Sequence, residues 1–160
     1  MQSPFAIVSD ADMERLSRLV RALKHSLFRD QQQLELLDQT LESAEVRLLA
    51  RVPRDIIRMN SSVRVFDFDT RQKEVYTLVF PEEANFSRRM ISVLAPLGIA
   101  LLGRKQGDII EARVPGGIRR LRVERVLHRS CVASERVRDD QRAGSKKHLG
   151  TRVQPAHLAA

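Results

Sequence analysis

Side chains able to do chemistry are few in this sequence, and none stands beside an obvious helper. The single cysteine, Cys131, has no motif around it, and the four histidines, His25, His128, His148 and His157, lack the spacing of metal ligands. No glycine-rich phosphate loop follows a strand-like run. Asp30, within "HSLFRDQQQ", is the one acidic residue of its segment and lies between Arg29 and Gln31. One carboxylate makes a poor Mg²⁺ site, whereas an Asp there can cap a helix by accepting the N–H of Gln33. The expectation is a protein that is not an enzyme, with no catalytic residues, no metal, no cofactor and no small-molecule substrate.

Two other stretches have a different character. "LAPLGIALLGRKQGD", residues 94–108, combines a proline, three glycines and an apolar cluster with three charges. Pro96 suits a first helical turn, "LGIALL" reads as a short apolar helix, Gly103 fits the position after it that needs positive φ, and Gly107-Asp108 turns the chain into a strand. Further on, "IRRLRVERVL" alternates: Leu121 and Val123 point one way, Arg120, Arg122 and Glu124 the other. With Arg119 and Arg125 this marks a basic surface.

The elements that position these stretches follow from periodicity. Ser9 with Asp12 three residues later reads as a capping box, and Met13, Leu16, Val20, Leu23 and Leu27 step by 3 and 4. A second start at Asp30 leads through Leu34, Leu37, Leu41, Ala44 and Leu48 at the same spacing, with Pro53 ending the run. The spacing predicts an antiparallel helical hairpin, a short coiled coil with arms roughly 27 to 30 Å long, over residues 1–52. Its tip would hold Phe28, Arg29 and Asp30. Such a hairpin either packs on the rest of the chain or on another copy, or it probes a partner. Residues 53–128 read as a small, mostly antiparallel sheet from "SVRVFDFD", "KEVYTLVF", "RMISVL", "DIIEARV" and "IRRLRVERVL", with a hairpin loop at "DFDTRQK" and a tight turn at "VPGGI". Residues 129–160, rich in charge and poor in large apolar side chains, read as a basic, flexible tail. The fold class is α+β.

Net charge is +8, and its excess lies downstream: residues 1–60 carry 9 basic and 9 acidic side chains, 61–128 carry 12 and 8, and 129–160 carry 7 and 3. Such a balance favours an acidic partner, nucleic acid or an acidic protein groove. One cysteine allows no internal disulfide and fits a reducing compartment, so a cytoplasmic location is expected. The longest apolar stretch, around residues 93–102, is well short of the roughly 20 residues of a membrane span, so no membrane partner is expected.

"VLAPLGIALLGRKQGDIIEARVPGG" resembles the signature of the C-terminal domain of the bacterial Gre (GreA/GreB) transcription elongation factors, and "PRDIIRMNSSVRVFDFDT" resembles their Rnk-like branch, the regulators of nucleoside diphosphate kinase. The resemblance covers about residues 53–128, and more weakly "SDADMERL". It implies an FKBP-like sheet domain that docks at the rim of the RNA polymerase secondary channel, with the hairpin pointing inward. The residues matching the docking loop are Ala95, Pro96, Leu97 and Gly98, with Gly103, Gly107 and Asp108 shaping the turn. Gre factors usually have Ser at Ala95, and their cleavage activity resides in a tip with neighbouring Asp and Glu residues. This tip has Asp30 alone, so polymerase binding without strong stimulation of transcript cleavage, in competition with Gre factors, is what carries over. The FKBP-like fold raises prolyl isomerase activity, but with no Trp, one Tyr (Tyr76) and six Phe the sequence gives little sign of an aromatic pocket. The alternative is a direct nucleic-acid (DNA- or RNA-binding) protein that uses Arg119, Arg120, Arg122, Arg125 and the tail.

Overall fold

The computed structural model describes residues 5–26 and 29–128. Leu27 and Phe28 of the tip, and the tail with Cys131, His148 and His157, lie outside the described residues.

Ser9 caps the first helix, α1 (Asp10–Lys24), by accepting the Asp12 N–H at 3.1 Å. Asp10 and Asp12 sit in its first turn and Arg21 and Lys24 in its last, which matches the helix dipole at both ends. Only half of the capping box forms as read. The Asp12 carboxylate accepts the Met59 N–H at 3.3 Å instead of reaching back to the cap backbone, and so ties α1 to the sheet half of the chain. Burial pushes the Asp12 carboxyl up, against the opposing pull of Ser9, the Met59 N–H and two arginines.

The second helix, α2 (Gln31–Glu42), differs from the sequence reading at both ends. Asp30 stands at its N-cap, but its side chain caps nothing; the Asp30 carbonyl accepts from Gln33 and Leu34 instead. At the other end the Ser43 hydroxyl bonds back to the Gln39 carbonyl at 2.9 Å, and the chain leaves the helix. Glu45–Arg47 then forms a strand, β2, paired in parallel with β1 (Ile7–Ser9), so the expected helix through Leu48 is replaced by extended chain. Ala44 is half-buried and Leu48 exposed, so the heptad pattern outlives the helix by two positions. At 1.5 Å per residue the arms are about 22 and 18 Å long, shorter than expected. Leu23 and Lys24 border the same hollow as Gln31 and Leu34 at one end of the pair, Met13 the same hollow as Leu41 at the other, and Lys24 pairs with Asp38.

The remaining strands build one five-stranded sheet in the order β5-β4-β3-β7-β6: β3 (Ser61–Asp67), β4 (Lys73–Val79), β5 (Met90–Ser92), β6 (Ile109–Val114) and β7 (Gly117–His128). Every pairing is antiparallel except β4 with β5. The expected strands, the "DFDTRQK" hairpin and the two-residue Pro115-Gly116 turn all form. Val63, Val65, Leu121 and Val123 fill the inner face; a short helix, α3 (Pro96–Leu101), packs on β5 and β6, and α2 packs on α3. One hydrophobic cluster joins Leu16, Val20 and Leu37 to Ile57, Leu78, Leu101 and Leu121, so residues on both sides of position 52 share a core. Among the described residues no helix is long and apolar enough to cross a membrane.

Candidate partner-docking site

The 94–108 stretch folds as a self-bracing corner. Ser92 accepts the Leu94 N–H on its hydroxyl and the Ala95 N–H on its carbonyl, turning the chain at the end of β5. Ala95 then stands at the N-cap of α3 with no side-chain cap, and Pro96 opens the helix. Gly98 lies so close to that turn that a Cβ would overlap the Ser92 carbonyl oxygen, which leaves room for no other residue. Leu97, Ile99, Leu101 and Leu102 are buried. Gly103 follows with φ +71, and a Cβ there would come within 2.7 Å of Ala6 and of the Ile7 nitrogen. Its carbonyl accepts the Ile7 N–H at 3.0 Å, so β1 crosses directly over the end of α3. Gly107 (φ +97) is exposed in the next turn, where the buried Asp108 accepts the Lys105 N–H at 2.9 Å.

The seven residues expected to dock therefore divide. Leu97, Gly98, Gly103 and Asp108 are buried and give the corner its shape. Ala95 and Pro96 are half-buried and Gly107 is exposed, and these three reach the surface. The corner is braced from outside by the segment before β3: Ile57 donates to Arg104 at 2.8 Å, Gly103 donates to Ile57 at 3.0 Å, and Gln106 donates to Asp55 at 2.8 Å. "PRDIIRMNS" and "LLGRKQGD", about 50 residues apart in sequence, thus hold each other in space.

Sequence reading missed three features. Phe86, in a single 3₁₀ turn (Phe86–Arg88) just before β5, is 94% exposed, yet its backbone is fixed. Asn85 accepts the Arg88 N–H on its side chain, and Asn85 and Met90 exchange both backbone hydrogen bonds. The second feature is a closed chain at the far end of the sheet: His128 Nε2 donates to the Arg54 carbonyl at 2.7 Å, its Nδ1 accepts from Ser61 Oγ at 2.8 Å, and Ser61 Oγ accepts the Arg58 N–H at 3.1 Å. Burial, together with nearby Arg58 and Arg54, pushes the His128 imidazole down despite the Arg54 hydrogen bond.

The third corrects the basic surface. Arg119 shares the parity of Leu121 and turns inward, where its Nε donates to Asp67 at 2.8 Å and its Nη2 bonds Asp67 and Glu74. Burial alone would raise the fully buried Asp67 carboxyl, but Arg119 and the N–H groups of Thr70 and Asp69 overcome it and hold it below the usual carboxylate range. Glu74 is likewise held low, by Tyr76, Arg89 and Arg119 against the effect of burial. Arg120, Arg122 and Arg125 do face outward. At the helix tip Arg29 and Asp30 are exposed, and among the described residues no three His, Cys, Asp or Glu side chains cluster as metal ligands would.

Comparison with known proteins agrees with this architecture. Residues 52–128 match the family described as "Transcription elongation factor, GreA/GreB, C-term". The chain is 33% identical over 118 residues to the regulator of nucleoside diphosphate kinase of Escherichia coli K12, covering 74% of this chain and 85% of that protein. It is 32% identical over 96 residues to the transcription elongation factor GreA of Bartonella henselae, covering 60% of this chain and 61% of the relative. A solved structure described as a prokaryotic transcription elongation factor GreA/GreB from Nitrosomonas europaea superposes with a TM-score of 0.64 at 35% identity, over 79% of this chain and all of that one. With a matching sheet domain, a relative spanned over most of its length and a shared fold, this chain belongs to the GreA/GreB family of transcription elongation factors.

Proposed function

We propose that the protein binds bacterial RNA polymerase at the rim of the secondary channel, docking through the corner around α3, and that it does so without catalysis of its own and without strongly stimulating transcript cleavage. The FKBP-like character of the sheet domain and the inward direction of the hairpin belong to the same reading. The observation that carries it is a contrast within one chain. The α3 corner, where the family resemblance is most specific, is fully built, while the tip segment "HSLFRDQQQ" offers one carboxylate, Asp30, on arms of 15 and 12 residues. Phosphodiester cleavage by bound Mg²⁺ needs several oxygen ligands held together, and a lone exposed Asp beside Arg29 supplies one. Occupying the channel would block cleavage-competent relatives by competition.

A halted elongation complex tests this. The protein is expected to leave the RNA intact on its own and to suppress cleavage by an added GreA factor in proportion to its concentration. Stimulated cleavage, or no effect on the added factor, would overturn it. The docking variant must be chosen on the surface: Leu97→Asp would open the core, whereas Pro96→Asp alters a half-buried position at the start of α3.

A further inference from the structure

The sheet face turned away from the helices carries arginines that the fold does not use. Arg64 on β3 and Arg125 on β7 are register partners, so two exposed cationic side chains stand directly opposite each other, at the bulge between Arg64 and Val65. Like charges so placed destabilise a sheet, and neither makes an ion pair among the described residues. With Arg122 they line a shallow groove of about 470 Å³ that reaches Gln106 and the Gly107 backbone. Beside it Phe66, the register partner of Arg122, meets Phe68 edge to face with ring centroids 5.5 Å apart. The Arg122 guanidinium lies 5.5 and 5.9 Å from the two centroids, and Arg120 lies 5.8 Å from Phe68. Among the described residues Glu111 and Glu124 offset this charge, bonded to Arg120 at 3.5 Å and to Lys73 and Arg122 at 3.2 and 3.6 Å, and Glu124 also lines the groove.

We propose that this face binds single-stranded nucleic acid, with backbone phosphates bridging Arg64 and Arg125 and bases stacking on the cluster of Phe66, Phe68 and Arg122. A phosphate between the two arginines turns their repulsion into attraction. Bases stack on phenyl rings and on guanidinium planes alike, which an acidic peptide would leave unused. A sheet face also has no projecting helix or ribbon to enter a duplex groove. The inference does not rest on polymerase docking: Ala95 and Pro96 take no part in it, and of the corner only Gln106 and Gly107 border the groove.

The test is fluorescence anisotropy of the full chain with a short labelled oligouridine over a range of salt. Single strands release about 0.7 counterion per neutralised phosphate, so the triple variant Arg64→Gln, Arg122→Gln, Arg125→Gln is expected to lower the salt slope by about 1.4, from the two phosphate-facing arginines, and to weaken binding by about tenfold or more. Phe68→Ala is expected to weaken binding and leave the slope unchanged. All four positions are at the surface, so melting temperatures near wild type are expected; if the triple variant unfolds, Arg125→Gln alone carries the test, with a slope change of about 0.7. The tail is basic, so a variant with Lys146, Lys147 and Arg152 changed to Gln is expected to keep the Arg64-dependent binding. Wild-type binding by the Arg64, Arg122 and Arg125 variants, loss of all binding in the tail variant, or equal affinity for a duplex would overturn the proposal. So would displacement of the oligouridine by polyglutamate as readily as by unlabelled RNA, which would mark the face as a site for an acidic protein.

Discussion

Two positions show how much rests on single atoms. Gly98 is required because a Cβ would meet a backbone carbonyl, which has no rotamer to escape into. Gly98→Ala is expected to cost about 3 kcal/mol or to abolish folding, read by chemical denaturation, even though Ala ordinarily favours a helix. Arg119 matters for what it neutralises. Replacing it by Met leaves Asp67 buried and ionised at neutral pH, at a cost of about 3 kcal/mol. Because the Asp67 carboxyl is held low in the folded state, its contribution is present above the usual carboxylate range, around pH 4, and is lost as pH falls through its folded value. The gap between wild type and Arg119→Met should therefore shrink as acid is added. A gap constant from pH 7 to pH 3 would mean that Arg119 acts by packing alone.

At the scale of elements, the His128 chain fastens the segment before β3 to the end of β7. With Nε2 donating to the Arg54 carbonyl, the neutral imidazole accepts from Ser61 on Nδ1, and protonation would reverse that bond and place a charge in a half-buried site beside Arg58 and Arg54. With the folded pKa below the unfolded one, this fastening contributes above about pH 6.5 and weakens as pH falls through the histidine range. A decline in stability between about pH 7 and pH 5 that disappears in His128→Phe is the expected result. Phe86 belongs to this scale as well: a rigid turn presents a bare aromatic ring just before the strand that leads to Ala95 and Pro96. Aromatic side chains held in this way are common binding anchors. Phe86→Ala is expected to leave the melting temperature unchanged while weakening polymerase binding by about tenfold or more.

The strands and α3 were legible in sequence because period-two alternation and the Pro-Gly punctuation around α3 are local signals. The end of α2 was not. Ala44 and Leu48 keep the heptad, and only the distant Ile7–Ser9 strand pulls Glu45–Arg47 into a sheet. Asp30 looked like a side-chain cap because its type and spacing fit, while the Asp30 carbonyl does that work. Arg119 was misassigned although its parity with Leu121 was available. An arginine on an inward position reads as surface until Asp67, 52 positions earlier, is seen to receive it. For the 94–108 stretch, sequence singled out the residues but not their division into those that shape the corner and those that reach the surface.

For the molecule as a whole, the shared core means that the helices are not a detachable arm. Leu16, Val20 and Leu37 pack in the same cluster as Leu101 and Leu121, Arg15 lies 4.1 Å over the Phe80 ring, and β1 covers Gly103. Unfolding followed by helical and by tertiary signals should give coincident transitions. A chain lacking residues 1–52 should be aggregation-prone and bind a hydrophobic dye, because Ile57 and Leu102 lose their cover. An independently folded 53–128 fragment of wild-type stability would contradict this.

The position of β7 also governs how the chain is made. The strand that completes the sheet lies between β3 and β6, and it leaves the ribosome after every other element among the described residues. Until then β3 has a neighbour on one side only, and β1 and the helix pair have no finished α3 end on which to settle. Nascent chains truncated before Gly117 should thus stay protease-sensitive along their whole length, and protection should arrive for the first and last elements together.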